Sequence, residues 1–355
     1  MHHLVIGEGQ IGRAIIERAL ADGDEVTVLR RTPVPPSAGI GRVTGDVLDE
    51  AALAEAISEA DAVHATFHAV YDARVWERDL PPRERAVLDA AAARGIPVIF
   101  PESMYGFVGE AGDLVEGAAP TPRDAKGRVR IQLLEQRRQH PARTVSIIAS
   151  DLIGPTALGT GAAVVTTMLI ERIAAGSRPI LFGSASAPHT LTYIPDLAVA
   201  MLHAARNAER LAGGASAPDG AGGDAVVHAP SAPARSQSEL IAAASELLDQ
   251  PVRRPVPIPR VALRMLAALN SFARELHGIS GLWYAPAVLR PGVLTSQEDL
   301  APTSWTDALR DTAQAARASQ LAGSAGTAGA TDPRSTVSES TASQGAPDTE
   351  HPVGA

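Results

Sequence analysis

Val5-Ile6-Gly7-Glu8-Gly9-Gln10-Ile11-Gly12 is the stretch whose reading decides the fold. Its glycines follow the G-x-G-x-x-G spacing. An apolar run, His3 to Ile6, precedes them, and a segment with Ala14, Ile15, Ala19 and Leu20 on one helical stripe follows. Strand, glycine turn and helix in that order are the context the spacing requires. Gly7 permits the tight turn, Gly9 lets a diphosphate approach the backbone, and Gly12 lets helix and strand pack closely. Gln10 and Ile11 open the helix, where unpaired amides and the helix dipole favour negative charge. Residues 7–12 are therefore expected to hold the diphosphate of a dinucleotide.

Working outward, the second strand, Glu25 to Leu29, runs into Arg30-Arg31. An acid at this place accepts bonds from ribose hydroxyls and selects NAD; an arginine pairs instead with a 2′-phosphate through a charge-assisted fork. NADP(H) is thus expected, with NAD left open. Gly45-Asp46 follows the third strand, and Asp46 is placed either to accept from the adenine amino group or to make the turn. Further strands are expected at Ala62–Ala65, Pro97–Phe100 and Thr144–Ala149, with helices after Asp49, from Glu84 to a stop at Gly95, and from Lys126 to Gln139. This alternation predicts an α/β fold with a doubly wound parallel sheet over residues 1–150. Residues 151–317, with strands near Pro179–Phe182, Ala225–His228 and Val252–Val256 and helices at 162–175, 196–208, 236–248 and 259–276, are expected to complete it and to form a smaller substrate lobe. From residue 318 the chain turns rich in Ser, Thr, Ala and Gly without periodicity and is expected to be an unstructured tail.

Bulk properties narrow the function classes. The 355 residues carry a formal net charge of −9, an unfavourable balance for nucleic acid or an anionic membrane. Cysteine is absent, so disulfides and thiolate chemistry are excluded, which suits a cytoplasmic protein. No run of apolar residues is long enough to span a bilayer, and the start, without a basic region and a long apolar stretch, is not expected to be a signal peptide. Metal-ligand spacings, P-loops and Gly-x-Ser-x-Gly elbows are not found, so no metal is expected. The expected partner is a small molecule. A homodimer stays open.

Taken together, Val5–Gly12, Gly45-Asp46, Met104-Tyr105-Gly106, Gly154-Pro155 and His189-Thr-Leu-Thr-Tyr-Ile-Pro-Asp-Leu-Ala198 resemble the short-chain dehydrogenase/reductase superfamily. The likeness is to its extended or atypical branch of epimerase/dehydratase-like proteins. It implies a nicotinamide dinucleotide as cofactor and an oxidoreductase or epimerase acting on a small carbonyl or sugar-like substrate. Asp196 is expected to cap the helix of the last motif.

The resemblance also implies a catalytic Tyr-x-x-x-Lys helix, and here the chain departs from it. Lys126, the only lysine, stands where tyrosine belongs, and Arg130 where lysine belongs. Arg130 can supply charge and ribose contacts. Lys126 can move a proton only if burial or a nearby cation lowers its pKa. Ser103 and Tyr105, after the fifth strand, are the remaining catalytic candidates; a close Lys126 would depress the Tyr105 pKa. His64, Thr66 and His68 are placed to flank the nicotinamide, and Ser150-Asp151 to wall the substrate pocket. A non-catalytic dinucleotide sensor, similar to NmrA-like regulators, is the alternative that the missing tyrosine leaves open.

Overall fold

Strand β1 (His2–Ile6) runs parallel to β2 (Glu25–Arg30), with Val5 beside Val28 and Ile6 beside Leu29. Helix α1 (Gln10–Ala21) connects them and buries Ala14, Ile15, Ile16 and Ala19, the stripe expected from sequence with Ile16 added. β3 (Ile40–Thr44) follows, then α2 (Glu50–Ile57), capped by the Asp49 carboxylate as expected. β4 (Ala62–Ala65), α3 (Ala73–Arg94), β5 (Val98–Ser103), α4 (Ala125–Arg138) and β6 (Thr144–Ala149) complete the first half. The computed structural model describes residues 1–159, 163–213, 223–269 and 271–328.

The second half contributes β7 (Asp151–Ile153), α5 (Glu171–Ala174) behind a π-helical turn, β8 (Ile180–Phe182), β9 (Leu191–Tyr193), α6 (Ile194–Arg206), α7 (Ala208–Ala212) and β10 (Asp224–His228). There follow α8 (Gln237–Leu247), β11 (Val256–Ile258), α9 (Arg260–Ala267), α10 (Ser271–Gly278), α11 (Ser280–Trp283), α12 (Val293–Ser296) and α13 (Trp305–Ala328). Seven strands form one sheet in the order β3-β2-β1-β4-β5-β6-β10, and every registered pair in it is parallel. Strand order reverses between β1 and β4, which opens a crevice at their carboxyl ends.

Four expectations need correction. β10 was expected in the second lobe; it instead extends the main sheet, pairing Val227 with Ile147. A five-residue apolar strand says little about which sheet it will join. α3 starts at Ala73 rather than Glu84 and continues through Pro81 and Pro82, because Trp76 and Leu80 on its first half pack with Val129 and Leu133 of α4. Gly95, with φ +67°, ends it as expected. Asp196 does not cap α6. It lies in the first turn and accepts bonds from the Thr303 amide and hydroxyl, both at 2.7 Å. The single helix expected over 259–276 is two, α9 and α10.

The expected start of an unstructured tail at residue 318 falls inside α13; residues 329–355 lie outside the described residues. No described helix is long and apolar enough to cross a membrane.

Candidate dinucleotide and proton-transfer site

The glycine turn has the geometry its spacing requires. Gly7 sits at φ +97°, against the backbone of Phe67. Gly12 lies against the Gly7 carbonyl so closely that an added Cβ would stand 2.0 Å from that oxygen. Thr66 secures the turn from β4, donating its hydroxyl to the carbonyls of Ile6 (3.1 Å) and Gly7 (2.8 Å). Gly9 is different: an added Cβ would meet nothing within 4 Å, so the space in front of it is open. Gly9 also caps α1 without any side-chain acceptor. Among the described residues no protein carboxylate or hydroxyl takes the place of an anion at this helix start. The buried Gln10 Oε1 has no partner. An open glycine and an uncapped helix N-terminus fit a diphosphate; the orphaned Gln10 oxygen, an acceptor, fits a hydroxyl or N–H donor instead.

The arginine reading is modified. Arg30 Nη1 donates to Glu8 Oε2 at 2.6 Å, and Arg42 binds the same carboxylate at 2.9 and 3.3 Å. Together these arginines hold the Glu8 pKa below the ordinary carboxylate value, against the opposing effect of its burial. Glu8, the second residue of the glycine motif, thus occupies Arg30, one of the two arginines that sequence assigned to a phosphate, and Arg42 joins it from β3. Arg31 is exposed. Asp46 accepts from the Leu48 amide at 3.1 Å and stands 3.6 Å from Arg83, so it shows the turn-making role rather than an open acceptor.

The catalytic candidates gather at the carboxyl ends of β4 and β5, but not in the arrangement first expected. Lys126 is buried (1 % exposed), and its ammonium donates to the Glu275 carbonyl and to Glu275 Oε2, both at 2.7 Å. Burial lowers its pKa, and the Glu275 carboxylate opposes that shift. Arg130, one turn on, faces elsewhere. It pairs with the buried Glu102 at 2.7 Å and lies 5.6 Å from the Trp76 ring centre. It therefore does not depress the lysine.

Tyr105 reaches Lys126 only through Tyr71. The two tyrosine hydroxyls are 3.2 Å apart, and the Lys126 ammonium stands 4.3 Å from the Tyr71 ring centre. The expectation that Lys126 depresses Tyr105 is overturned: burial pushes the Tyr105 hydroxyl up to about 12, only partly offset by the bond from Tyr71. Tyr105 also stacks on Trp76, with centroids 6.2 Å apart and planes 16° from parallel. Ser103 spends its hydroxyl on the turn, accepting from the Tyr105 amide at 3.4 Å.

Beneath these groups runs a buried ion network. Arg137 grips Glu84 with two bonds of 2.8 and 2.6 Å and reaches Glu102 Oε2 at 3.1 Å, while Glu102 pairs with Arg130. Two cations and two carboxylates balance, which is the condition for burying them. Sequence reasoning missed Glu84 and Arg137 because charged residues on helices read as solvated, and Glu102 because nothing at a strand end shows that its carboxylate turns into the core. Glu275 and Tyr71 were missed too, since no spacing motif links them to Lys126. Asp151, expected as pocket wall, accepts from the amides of Val164 (3.2 Å) and Val165 (2.9 Å), and burial pushes its pKa up to about 6. His64 does not flank the crevice; it lies 3.0 Å from His3, which in turn contacts Asp24, toward the opposite edge of the sheet.

Solved structures with the same architecture include three sugar-nucleotide epimerases. The UDP-glucose 4-epimerase of Thermotoga maritima, solved with UDP-glucose, has a TM-score of 0.67 at 16% identity, over 90% of this chain and 100% of that one. The Thermus thermophilus UDP-glucose 4-epimerase, solved with NAD, gives 0.64 at 18% identity, over 89% and 99%. The UDP-N-acetylglucosamine 4-epimerase of Bacillus cereus gives 0.66 at 12% identity, over 88% and 96%. At these identities the likeness establishes the fold. Curated protein sequences offer no match. The model of the NAD dependent epimerase/dehydratase family matches residues 3–216, more than half of the chain, and this chain belongs to that family.

Proposed function

We propose that the protein binds NADP(H), with NAD as the competing dinucleotide, and works as an oxidoreductase or epimerase on a small carbonyl or sugar-like substrate. The observation that carries this reading is the Tyr71–Tyr105 hydroxyl pair beside Lys126, at the sheet edge where the glycine turn opens. Gly7, Gly9, Gln10, Ile11 and Gly12 would hold the diphosphate, and Arg30, Arg31 and Arg42 would face a 2′-phosphate. The bound dinucleotide supplies hydride exchange at its nicotinamide ring.

The chain's own part is the proton. With its pKa raised to about 12, Tyr105 keeps its hydroxyl protonated at neutral pH and serves first as an acid toward a carbonyl oxygen. Tyr71 is within hydrogen-bond reach to replace that proton. Lys126 supplies positive charge next to the Tyr71 ring, in place of the usual contact from a lysine one helical turn after a tyrosine. Trp76 fixes the ring of Tyr105 by stacking.

A second reading, a dinucleotide sensor without turnover, has its own support. The Lys126 ammonium is sealed against Glu275 by two bonds and faces no open space as a donor. The two readings separate on turnover, followed as NADPH oxidation with aldehydes and ketones and as epimer product with UDP-sugars, because an epimerase leaves its dinucleotide unchanged overall. Turnover that falls at least about a hundredfold in Tyr105→Phe, in the range of a lost general acid, supports the enzyme. Tight NADPH binding with no turnover, unchanged by Lys126→Ala, supports the sensor. No dinucleotide binding at millimolar concentration removes both.

A further inference from the structure

The face formed by residues 252–269 combines two properties that the rest of the surface keeps apart. Six of the eleven exposed large apolar side chains among the described residues lie in this stretch: Val252, Val256, Val261, Met265, Leu266 and Leu269. Leu269 is 89% exposed, and Val261 and Met265 are each 69% exposed. Val261, Met265 and Leu269 follow one another at i, i+4 and i+8, a continuous outward stripe. The opposite stripe of α9, Leu263 and Ala267, is buried in the lobe. α9 is therefore apolar both inward and outward, and only its inward side is covered.

Charge marks what covers the other. Between Gln250 and Gly278 the sequence has five arginines and a single acid, Glu275, in a chain whose net charge is −9. Glu275 is buried and committed to Lys126. Arg253, Arg254, Arg260 and Arg264 are exposed, and none of them forms an ion pair among the described residues. Arg178, also exposed, joins them across the β8–β11 edge by donating to the Arg254 carbonyl at 2.9 Å. Elsewhere on this protein arginines are mostly matched: Arg18, Arg85, Arg138, Arg206, Arg210, Arg235, Arg290 and Arg310 all meet carboxylates.

An exposed apolar stripe edged by unmatched arginines is complementary to the headgroup layer of an anionic bilayer. The stripe enters the acyl boundary, and the guanidinium groups stay at the phosphates. We propose that this face, β11 and α9 with Leu269 just beyond them, docks the protein on an anionic lipid surface. A second protein copy would bring like charge against like charge across a two-fold, which the unmatched arginines disfavour. Docking here also brings α10 close to the membrane. α9 packs on α10, and α10 carries the Glu275 that closes on Lys126. The inference does not depend on which dinucleotide is bound.

The test uses the full chain and vesicles of phosphatidylcholine, with and without one-third phosphatidylglycerol, in a sedimentation assay. Partition into the anionic vesicles is expected to exceed that into neutral ones at least tenfold, and to fall with added salt. Replacing Arg253, Arg254, Arg260 and Arg264 by Gln should weaken binding by roughly fivefold per arginine. Met265→Glu with Leu269→Glu should abolish it while leaving the thermal transition and dinucleotide affinity unchanged. Three results overturn the proposal. One is no partition at low salt. Another is binding that persists after the two apolar residues become glutamates, which would mark a general anion site. The third is a dimer seen by light scattering without lipid and dissolved by Leu269→Glu, which would assign the face to a second copy.

Discussion

Lys126 and Glu275 meet at 2.7 Å, both buried, and tie α4 to α10 across 149 residues of chain. Removing one partner of a buried pair strands the other charge in a low-dielectric site, at about 3–5 kcal/mol. Glu275→Leu is therefore expected to lower unfolding stability by that amount. The double variant Lys126→Met, Glu275→Leu should recover most of it, because two apolar groups of similar size need no partner. Urea midpoints of the three proteins check this. A Glu275→Leu loss under about 1 kcal/mol would show that the ammonium finds water or another acceptor.

Glu8 sits between Arg30 and Arg42 and neutralises the charge that a 2′-phosphate would need. Glu8→Gln keeps the shape and frees both arginines. NADPH affinity should rise several-fold relative to NADH. Arg30→Ala with Arg31→Ala should weaken NADPH more than NADH. If Glu8→Gln changes both dinucleotides equally, these arginines do not meet the 2′-phosphate.

Asp151 gives a pH signature. Its folded pKa, about 6, lies above its ordinary value of 3.8. The native state thus holds a proton that the unfolded chain has already released, and stability falls as pH rises between about 4 and 6. Above that window the full cost of ionising a buried carboxyl is carried. Asp151→Asn removes the titrating group, and its one oxygen can accept from one of the Val164 and Val165 amides. Relative to their difference near pH 4, the variant should gain about 3 kcal/mol on the parent by pH 7. Thermal unfolding from pH 4 to pH 8 measures it. A constant difference across the range would mean that Asp151 does not titrate there.

The sheet was legible because most strands from β1 to β6 are short apolar or alternating runs bounded by turn signals. Gly95 and Asp49, for example, mark a helix stop and a helix start that the structure repeats. The glycine turn was legible because backbone proximity forces residue type: only glycine fits 2.0 Å from the Gly7 carbonyl. The catalytic corner was less legible. Lys126 and Arg130 were found by position in a helix, but their partners Glu275 and Glu102 come from distant elements that no spacing joins to them. Arg30 shows the same gap, since a residue's type and place do not reveal the carboxylate that meets it. Bulk charge hides local detail as well. A total of −9 averages over the whole surface and conceals a local stretch in which arginines outnumber acids five to one.

Gly9 and Gly12 separate fold from ligand. At Gly12 an added methyl collides with backbone, so Gly12→Ala should destabilise the protein itself. At Gly9 the backbone is extended, with φ −83°, and the added methyl meets nothing. The most direct measurement is therefore calorimetric titration of NADPH and NADH into the wild type and Gly9→Ala, with thermal unfolding run alongside. A dinucleotide bound by the wild type and weakened at least tenfold by Gly9→Ala, at an unchanged melting temperature, is the predicted result. Equal affinity in the two proteins, or no heat from either dinucleotide with the wild type, would contradict it.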